Sequence, residues 1–346
     1  MTPLSFLVFA DLHYKQDMYA STVNDLRTVL DRAAAEQVDL VLHAGDFCND
    51  YPGSPEVVDL YWKNPHGLPV YGCYGNHELE TAGTSMPFVT PRLTNRNVVW
   101  GTADGSIGDG SIGHYYFDRN GFRFVVTDTN YSLRPDGVWE RNLTGSHCPA
   151  RENTLWNSLG PAQLLWLEQT LTDAAQRALH CIVVSHITFN TWRTASPDAA
   201  RVREIFAQAN ALRPHTVVMA INGHHHTDGL KQEDGILYFD VNAVRNAWWH
   251  SVPHGLYGEE GPTFPFIAYD ENGQPTEGPI MRPLLSLRQG NRTLFTVDPL
   301  SAVVRIDANG EVTVTGTDSA WVADLAPDTD KPFVRPAIGG GKFRLI

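Results

Sequence analysis

The stretch Thr216-Val-Val-Met-Ala-Ile-Asn-Gly-His-His-His-Thr-Asp-Gly229 decides how this chain is read. It opens on an apolar run of strand length, and three consecutive histidines follow just past the end of that run. Successive residues of an extended backbone face opposite sides, so His224 and His226 can share a site while His225 points elsewhere. On a helix the outer two would stand about 200° apart and could not converge. The bland reading is a solvated polar turn. Nothing inside the stretch chooses between the two.

The same arrangement recurs upstream. Leu4–Ala10 ends at Asp11-Leu12-His13, Asp39–Ala44 at Gly45-Asp46, Leu68–Tyr74 at Gly75-Asn76-His77-Glu78, and Cys181–Ser185 at His186. Helical patterns separate these runs. Ser21 or Thr22 can cap a helix carrying Val23, Leu26, Val29, Leu30 and Ala33. Ser54-Pro55-Glu56 and Ser196-Pro197-Asp198 read as helix starts, and Gly160-Pro161 opens a helix with Leu164, Leu167 and Leu171 on one face. Alternating strands and helices imply an α/β fold with a largely parallel central sheet, in which ligands collect outside the carboxyl ends of the strands. Five polar clusters then share one rim. A hairpin turning at Asn120-Gly121 and a long polar loop, Ser132–Ser158, interrupt the alternation. Beyond residue 270 the helical patterns stop and short strand-like runs replace them. Residues 1–270 therefore read as the functional domain and 271–346 as a small β-rich extension.

Composition narrows the function classes. With 42% hydrophobic and 19% charged residues, the 346-residue chain is an ordinary globular protein. A formal net charge of -13 argues against a nucleic-acid or anionic-membrane partner. The apolar run at the amino terminus stops at Asp11, too short for a signal-peptide core or a membrane span. Cys48, Cys73, Cys148 and Cys181 show no paired spacing, which suits reduced thiols and a cytoplasmic location.

The rim residues Asp11, His13, Asp46, Asn76, His77, His186, His224 and His226 are of the types that ligate metals. Imidazole mixed with carboxylate and amide oxygen suits divalent first-row transition ions (Mn, Fe, Zn or Co) rather than an all-oxygen Mg²⁺ or Ca²⁺ shell. The candidates are too many for one ion and about right for two. A carboxylate bridges two ions naturally, which favours the isolated Asp46. Two dications would outweigh the two carboxylates and make the site locally electropositive in an acidic protein.

These residues resemble, in order, the five motifs of the calcineurin-like metallophosphoesterases: D-x-H, G-D, G-N-H-[DE], H and G-H-x-H. Asp128-Thr-Asn130 and the helix around Gln163–Glu168 also resemble that superfamily, and the likeness covers roughly residues 4–250. It implies a four-layer sandwich, with central β-sheets flanked by helices. It implies one metal held by Asp11, His13, Asp46 and His226, a second held by Asp46, Asn76, His186 and His224, and His77 as the catalytic histidine beside the phosphate. The implied reaction is in-line attack of a metal-bound hydroxide on a small phosphoester. Gly45-Asp-Phe-Cys-Asn-Asp50 lacks the arginine that follows this motif in protein serine/threonine phosphatases. The chain is therefore more similar to the bacterial phosphodiesterase branch. A phosphomonoesterase, a nuclease and a non-catalytic metal-binding subunit are the rival readings. Tyr14, Lys15, His147, His250, His254, Trp248 and Trp249 stand as possible pocket residues, and His43 reads as a packed core histidine.

Overall fold

The computed structural model of the protein describes residues 1–13, 22–48, 55–79, 97–101, 113–141, 155–192, 195–248, 263–266, 280–283, 293–320 and 337–345. Two large sheets stack face to face. The first begins with β1 (Leu4–Phe9), β2 (Leu40–His43) and β3 (Val70–Gly72), which run parallel and alternate with α1 (Thr22–Ala35) and α2 (Pro55–Lys63). The second is built on a parallel core of β6 (Phe122–Val126), β10 (His180–Val184), β11 (Val217–Asn222) and β13 (Ile236–Asp240). Antiparallel β5 (Tyr115–Arg119) and β4 (Val99–Trp100) extend one side, and β12 (Gly229–Glu233) the other. α3 (Gly160–Gln176) and α4 (Ala199–Leu212) back this second sheet.

Side-chain alternation explains the layering. In β10, Ile182 and Val184 join the core between the sheets, whereas Cys181 and Val183 pack under α3 and α4. Carrying that alternation two residues on places His186 on the inner side. On α1, Leu26, Val29, Leu30 and Ala33 form the buried stripe anticipated from their spacing. α3 opens at Gly160, whose φ of +73° suits glycine, and has proline in its first turn. The Asp198 carboxylate, arriving from the start of α4, accepts the Leu159 and Gly160 N–H groups at 2.7 and 3.3 Å. The β5–β6 hairpin turns at Asn120-Gly121 with both residues at positive φ.

The two stacked sheets are those the family resemblance implied, where strand-and-helix alternation alone suggested one. The parallel strands divide between two mixed sheets, because the chain crosses to the second sheet after β3. The boundary at residue 270 lies outside the described residues, but the carboxy-terminal strands beyond it are not an appendage. β18 (Ala302–Ile306), β19 (Glu311–Gly316) and β20 (Gly341–Arg344) complete the first sheet in the order β20-β19-β18-β1-β2-β3. β18 pairs antiparallel along β1, Leu4 opposite Ile306 and Val8 opposite Ala302, and satisfies an edge that a buried strand cannot leave open. Short strands decorate this frame. β7 (Tyr131–Leu133), β8 (Trp139–Arg141) and β9 (Leu155–Ser158) form a small sheet inside what reads as one long loop. β14 (Asn246–Trp248) pairs with β17 (Thr293–Phe295), and β15 (Thr263–Phe266) with β16 (Ile280–Pro283).

Candidate metal centre

The carboxyl ends of β1, β2 and β3 meet those of β10 and β11 at one rim. An isolated bridge from Ala10 to Ala243 joins the two sheets there. Three groups of potential ligands interlock at this point: Asp11, His13 and His226; His13, Asp46 and His77; Asp46, His186 and His224. His13 and Asp46 each belong to two groups. Within the cluster, His13 Nε2 lies 2.9 Å from His226 Nε2, His226 Nε2 3.2 Å from Asp11 Oδ1, and His186 Nε2 3.0 Å from Asp46 Oδ2. Donor atoms bound to one transition ion at about 2.0–2.2 Å stand roughly 2.8–3.6 Å apart, so these spacings fit shared shells. His77 sits farther out, its Nε2 3.9 Å from Asp46 Oδ2. Asn76 is buried beside it at the end of β3.

The backbone is bent to make this possible. Asp11, His13, Asp46, His224 and His226 all have φ between +50° and +74°, a region that non-glycine residues seldom occupy. Three glycines make room. A Cβ at Gly45 would overlap the His186 ring, one at Gly75 the Asp46 carboxylate, and one at Gly223 the Asp11 carboxylate. Two left-handed residues flanking His225, not strand alternation, separate the triplet. His226 reaches the Asp11 group, His224 the Asp46 group, and His225 belongs to neither. The outer two enter candidate ligand groups, by a different backbone route and in two different groups.

Electrostatics matches a cation site. Burial opposes ionisation of Asp11, but the charge of His226 and hydrogen bonds from His13 and His226 outweigh it and hold the carboxyl well below its usual range. At Asp46 burial is likewise overcome, chiefly by His186 and His77, and the group stays ionised. His186 moves the other way: burial lowers it, yet Asp46 and Asp11 push it up to about 10. Its Nδ1–H donates to the Ala44 carbonyl at 2.9 Å, which aims Nε2 at Asp46. Burial drives His224 well below its usual value, so it is a neutral imidazole. Two fully buried carboxylates of one sign are costly unless cations face them, and the residues present fit metal ions.

Residues without an assigned role in the sequence reading hold the ligands in place. The Glu78 carboxylate accepts N–H groups from Asp46 (3.0 Å), Phe47, Cys48 (3.1 Å) and Gly75, folding the loop after β2 around itself. Burial, with the Asp46 charge, pushes Glu78 up to about 7. The signal for it was the acid closing Gly75-Asn-His-Glu78. His43 is the core histidine anticipated: burial pushes it down to about 3, and its Nδ1 accepts the Gly45 N–H at 3.3 Å. Tyr14, Lys15, His147, Trp249, His250 and His254 lie outside the described residues, and Trp248 ends β14.

With this geometry established, the comparisons with known proteins fall into place. The sequence profile of the calcineurin-like phosphoesterases matches residues 4–228, and the chain belongs to that family. The family, together with these ligand groups, makes the protein a metal-dependent phosphoesterase. A dimetal phosphatase from Danio rerio has a similar structure, at 16% identity and TM-score 0.55, covering 93% of this chain and 99% of that one. Weaker likenesses include PhoD, at 14% identity and TM-score 0.43 over 93% of this chain and 69% of that one. Another is the Plasmodium inner-membrane-complex anchor GAP50, at 12% identity and TM-score 0.46 over 99% and 89%. No curated protein matches the sequence. Among the described residues no helix is long and apolar enough to cross a membrane.

Proposed function

We propose that the protein is a dinuclear phosphoesterase that prefers small phosphodiesters. The observation that carries this reading is that the Asp11–His13–His226 and Asp46–His186–His224 groups stand side by side, with His13 Nε2 3.7 Å from Asp46 Oδ2, an arrangement suited to two neighbouring cations. Asp11, His13, Asp46 and His226 would hold one cation; Asp46, Asn76, His186 and His224 would hold the other. When bound, the pair supplies water activated near neutral pH and neutralises charge on the phosphoryl oxygens. The chain's own groups do the rest. His77 is held at the rim by its amide, which donates to Asp46 Oδ1 at 2.8 Å, and its imidazole delivers a proton to the leaving oxygen. Gly45 lets its loop close on the His186 ring, and Gly75 lets the next loop close on Asp46, with no side chain between.

The diester preference rests on the sequence likeness to the phosphodiesterase branch and on the missing arginine after Asp46. The net charge of -13 disfavours long polyanions and anionic membrane surfaces as partners. Cys73 and Cys181 are free and buried, which suits a reducing compartment such as the cytoplasm. The test is metal analysis of the purified protein, joined to rates on an aryl phosphate diester and its monoester. Two transition ions per chain and faster diester cleavage are expected. Equal or faster monoester cleavage rejects the preference; a metal-free, inactive protein rejects the whole reading.

A further inference from the structure

Gly75 needs to be glycine because Asp46 crowds its Cα, and a glycine places no side-chain restraint on its own peptide plane. Yet the next two residues are Asn76 and His77, whose directions depend on that plane. The Gly75 N–H is fixed by Glu78, as described above. Its carbonyl is held from the second sheet instead. Asn130 Nδ2 donates to Gly75 O at 3.2 Å and to Asp128 Oδ1 at 2.8 Å.

Asp128 is held on all sides. Its backbone N–H donates to Gln163 Oε1 at 2.8 Å, and its carbonyl accepts from Gln163 Nε2 at 2.7 Å. Its Oδ1 also accepts the Asn130 backbone N–H at 3.1 Å, and its Oδ2 accepts Arg141 Nε at 2.6 Å. The Arg141 guanidinium then lies over the Tyr74 ring, 4.7 Å from its centroid. Gly113 passes so close to both that any Cβ would overlap the Asp128 carboxylate. Segments from β6, β8 and α3 thus converge on Tyr74-Gly75, the two residues that lead into Asn76 and His77.

We infer that Asn130, oriented by Asp128, is a positioning residue that sets the Gly75–Asn76 peptide plane and through it the aim of Asn76 and His77. The Asp128–Arg141 pair is its anchor. The inference rests on the roles proposed above for Asn76 and His77. Outer partners of this kind are typically worth about 10–100-fold in metal affinity or activity.

The test uses the full chain with Asn130→Ala and Asn130→Ser. Serine keeps a hydroxyl donor for Asp128 beside it but is too short to reach Gly75, so it guards against loss of folding. Both variants are expected to weaken one of the two metal sites about 10–100-fold in chelator competition with Mn²⁺ or Zn²⁺, leaving the other within about threefold. On an aryl phosphate ester, kcat should fall by a similar factor with KM little changed. A purely structural role would lower the melting temperature of Asn130→Ser while leaving metal affinity and kcat per folded molecule at wild-type values, and that result overturns the inference. The chelator arm needs no turnover: an inactive wild-type protein would reject the proposed function, while unaltered metal affinity in the variants would reject the role of Asn130.

Discussion

Two loops carry most of the centre, and they are held differently. The loop after β2, Ala44–Cys48, is fastened through its backbone. Gly45 O and Asp46 O accept the Asp11 and His13 N–H groups, both at 2.9 Å, and Ala44 O accepts from His186. The amides of Asp46, Phe47 and Cys48 all turn to Glu78, which belongs to none of the ligand groups. The loop after β11 is fastened at His224 by a carboxylate instead. The His224 N–H donates to Asp11 Oδ1 and Oδ2, at 3.1 and 3.0 Å, and the His225 N–H turns back to Gly223 O. The first loop is tied to Glu78, outside the ligand groups, as well as to the backbones of Asp11 and His13; the second is tied at His224 to a carboxylate within the groups. The difference teaches that the Asp46 side of the centre is braced by a carboxylate that is itself in none of the ligand groups. The triplet side depends on what Asp11 is doing.

The largest effect belongs to Asp46→Asn. Asp46 Oδ2 lies 3.0 Å from His186 Nε2 and 3.7 Å from His13 Nε2, between the two proposed ions, so metal analysis should find one cation weakly held or none. Two metals at full occupancy would break the view that this loop is the shared foundation. His77→Asn comes next. The metals should stay while kcat falls about 10²–10⁴-fold, less for esters with a good leaving group. Loss of metal would make His77 a ligand, and near-normal turnover on a poor leaving group would remove it from the chemistry.

Glu78→Gln tests the tether directly. A glutamine turns an NH₂ toward N–H groups that now meet a carboxylate oxygen, so metal affinity should drop about 10–100-fold. Wild-type affinity in that variant would show that the first loop needs no tether. The smallest effect is a gradient in pH. With Asp46 and Asp11 holding His186 up to about 10, the metal-free centre is protonated there at neutral pH. A cation must displace that proton, so affinity should rise about tenfold per pH unit below that value. In the metal-free protein the stability from this raised group is complete below 6.5 and is lost as pH rises through about 10. Calorimetry of metal loading in two buffers of different ionisation heat reads the released proton, and buffer-independent heat would contradict it.

Much of this was legible in the sequence because the information is local. An apolar run ending in Asp11, Asp46, His186 or the triplet announces a strand with its chemistry at one tip, and Asn120-Gly121 announces its own turn. What was not legible depends on contacts distant in sequence. Nothing near residues 302–306 says that they pair with β1, since both are ordinary apolar strands. The left-handed conformations of His224 and His226 are announced by no turn signal in Gly-His-His-His. Asn130 and Arg141 look like unremarkable polar residues until the second sheet brings them to Tyr74 and Gly75.

The pairing of β18 with β1 also bears on how the protein is made. At roughly 5–20 residues per second, a ribosome takes about 15–60 s to deliver the partner of a strand that emerged first. During that interval one edge of β1 lies open along an apolar strand, exposed to pairing with any extended segment nearby. A sheet closed by such a distant partner also folds slowly, because the long loop must close before the contact yields any stabilisation. The centre at the tip of β1 is therefore assembled on a strand whose own sheet is finished last.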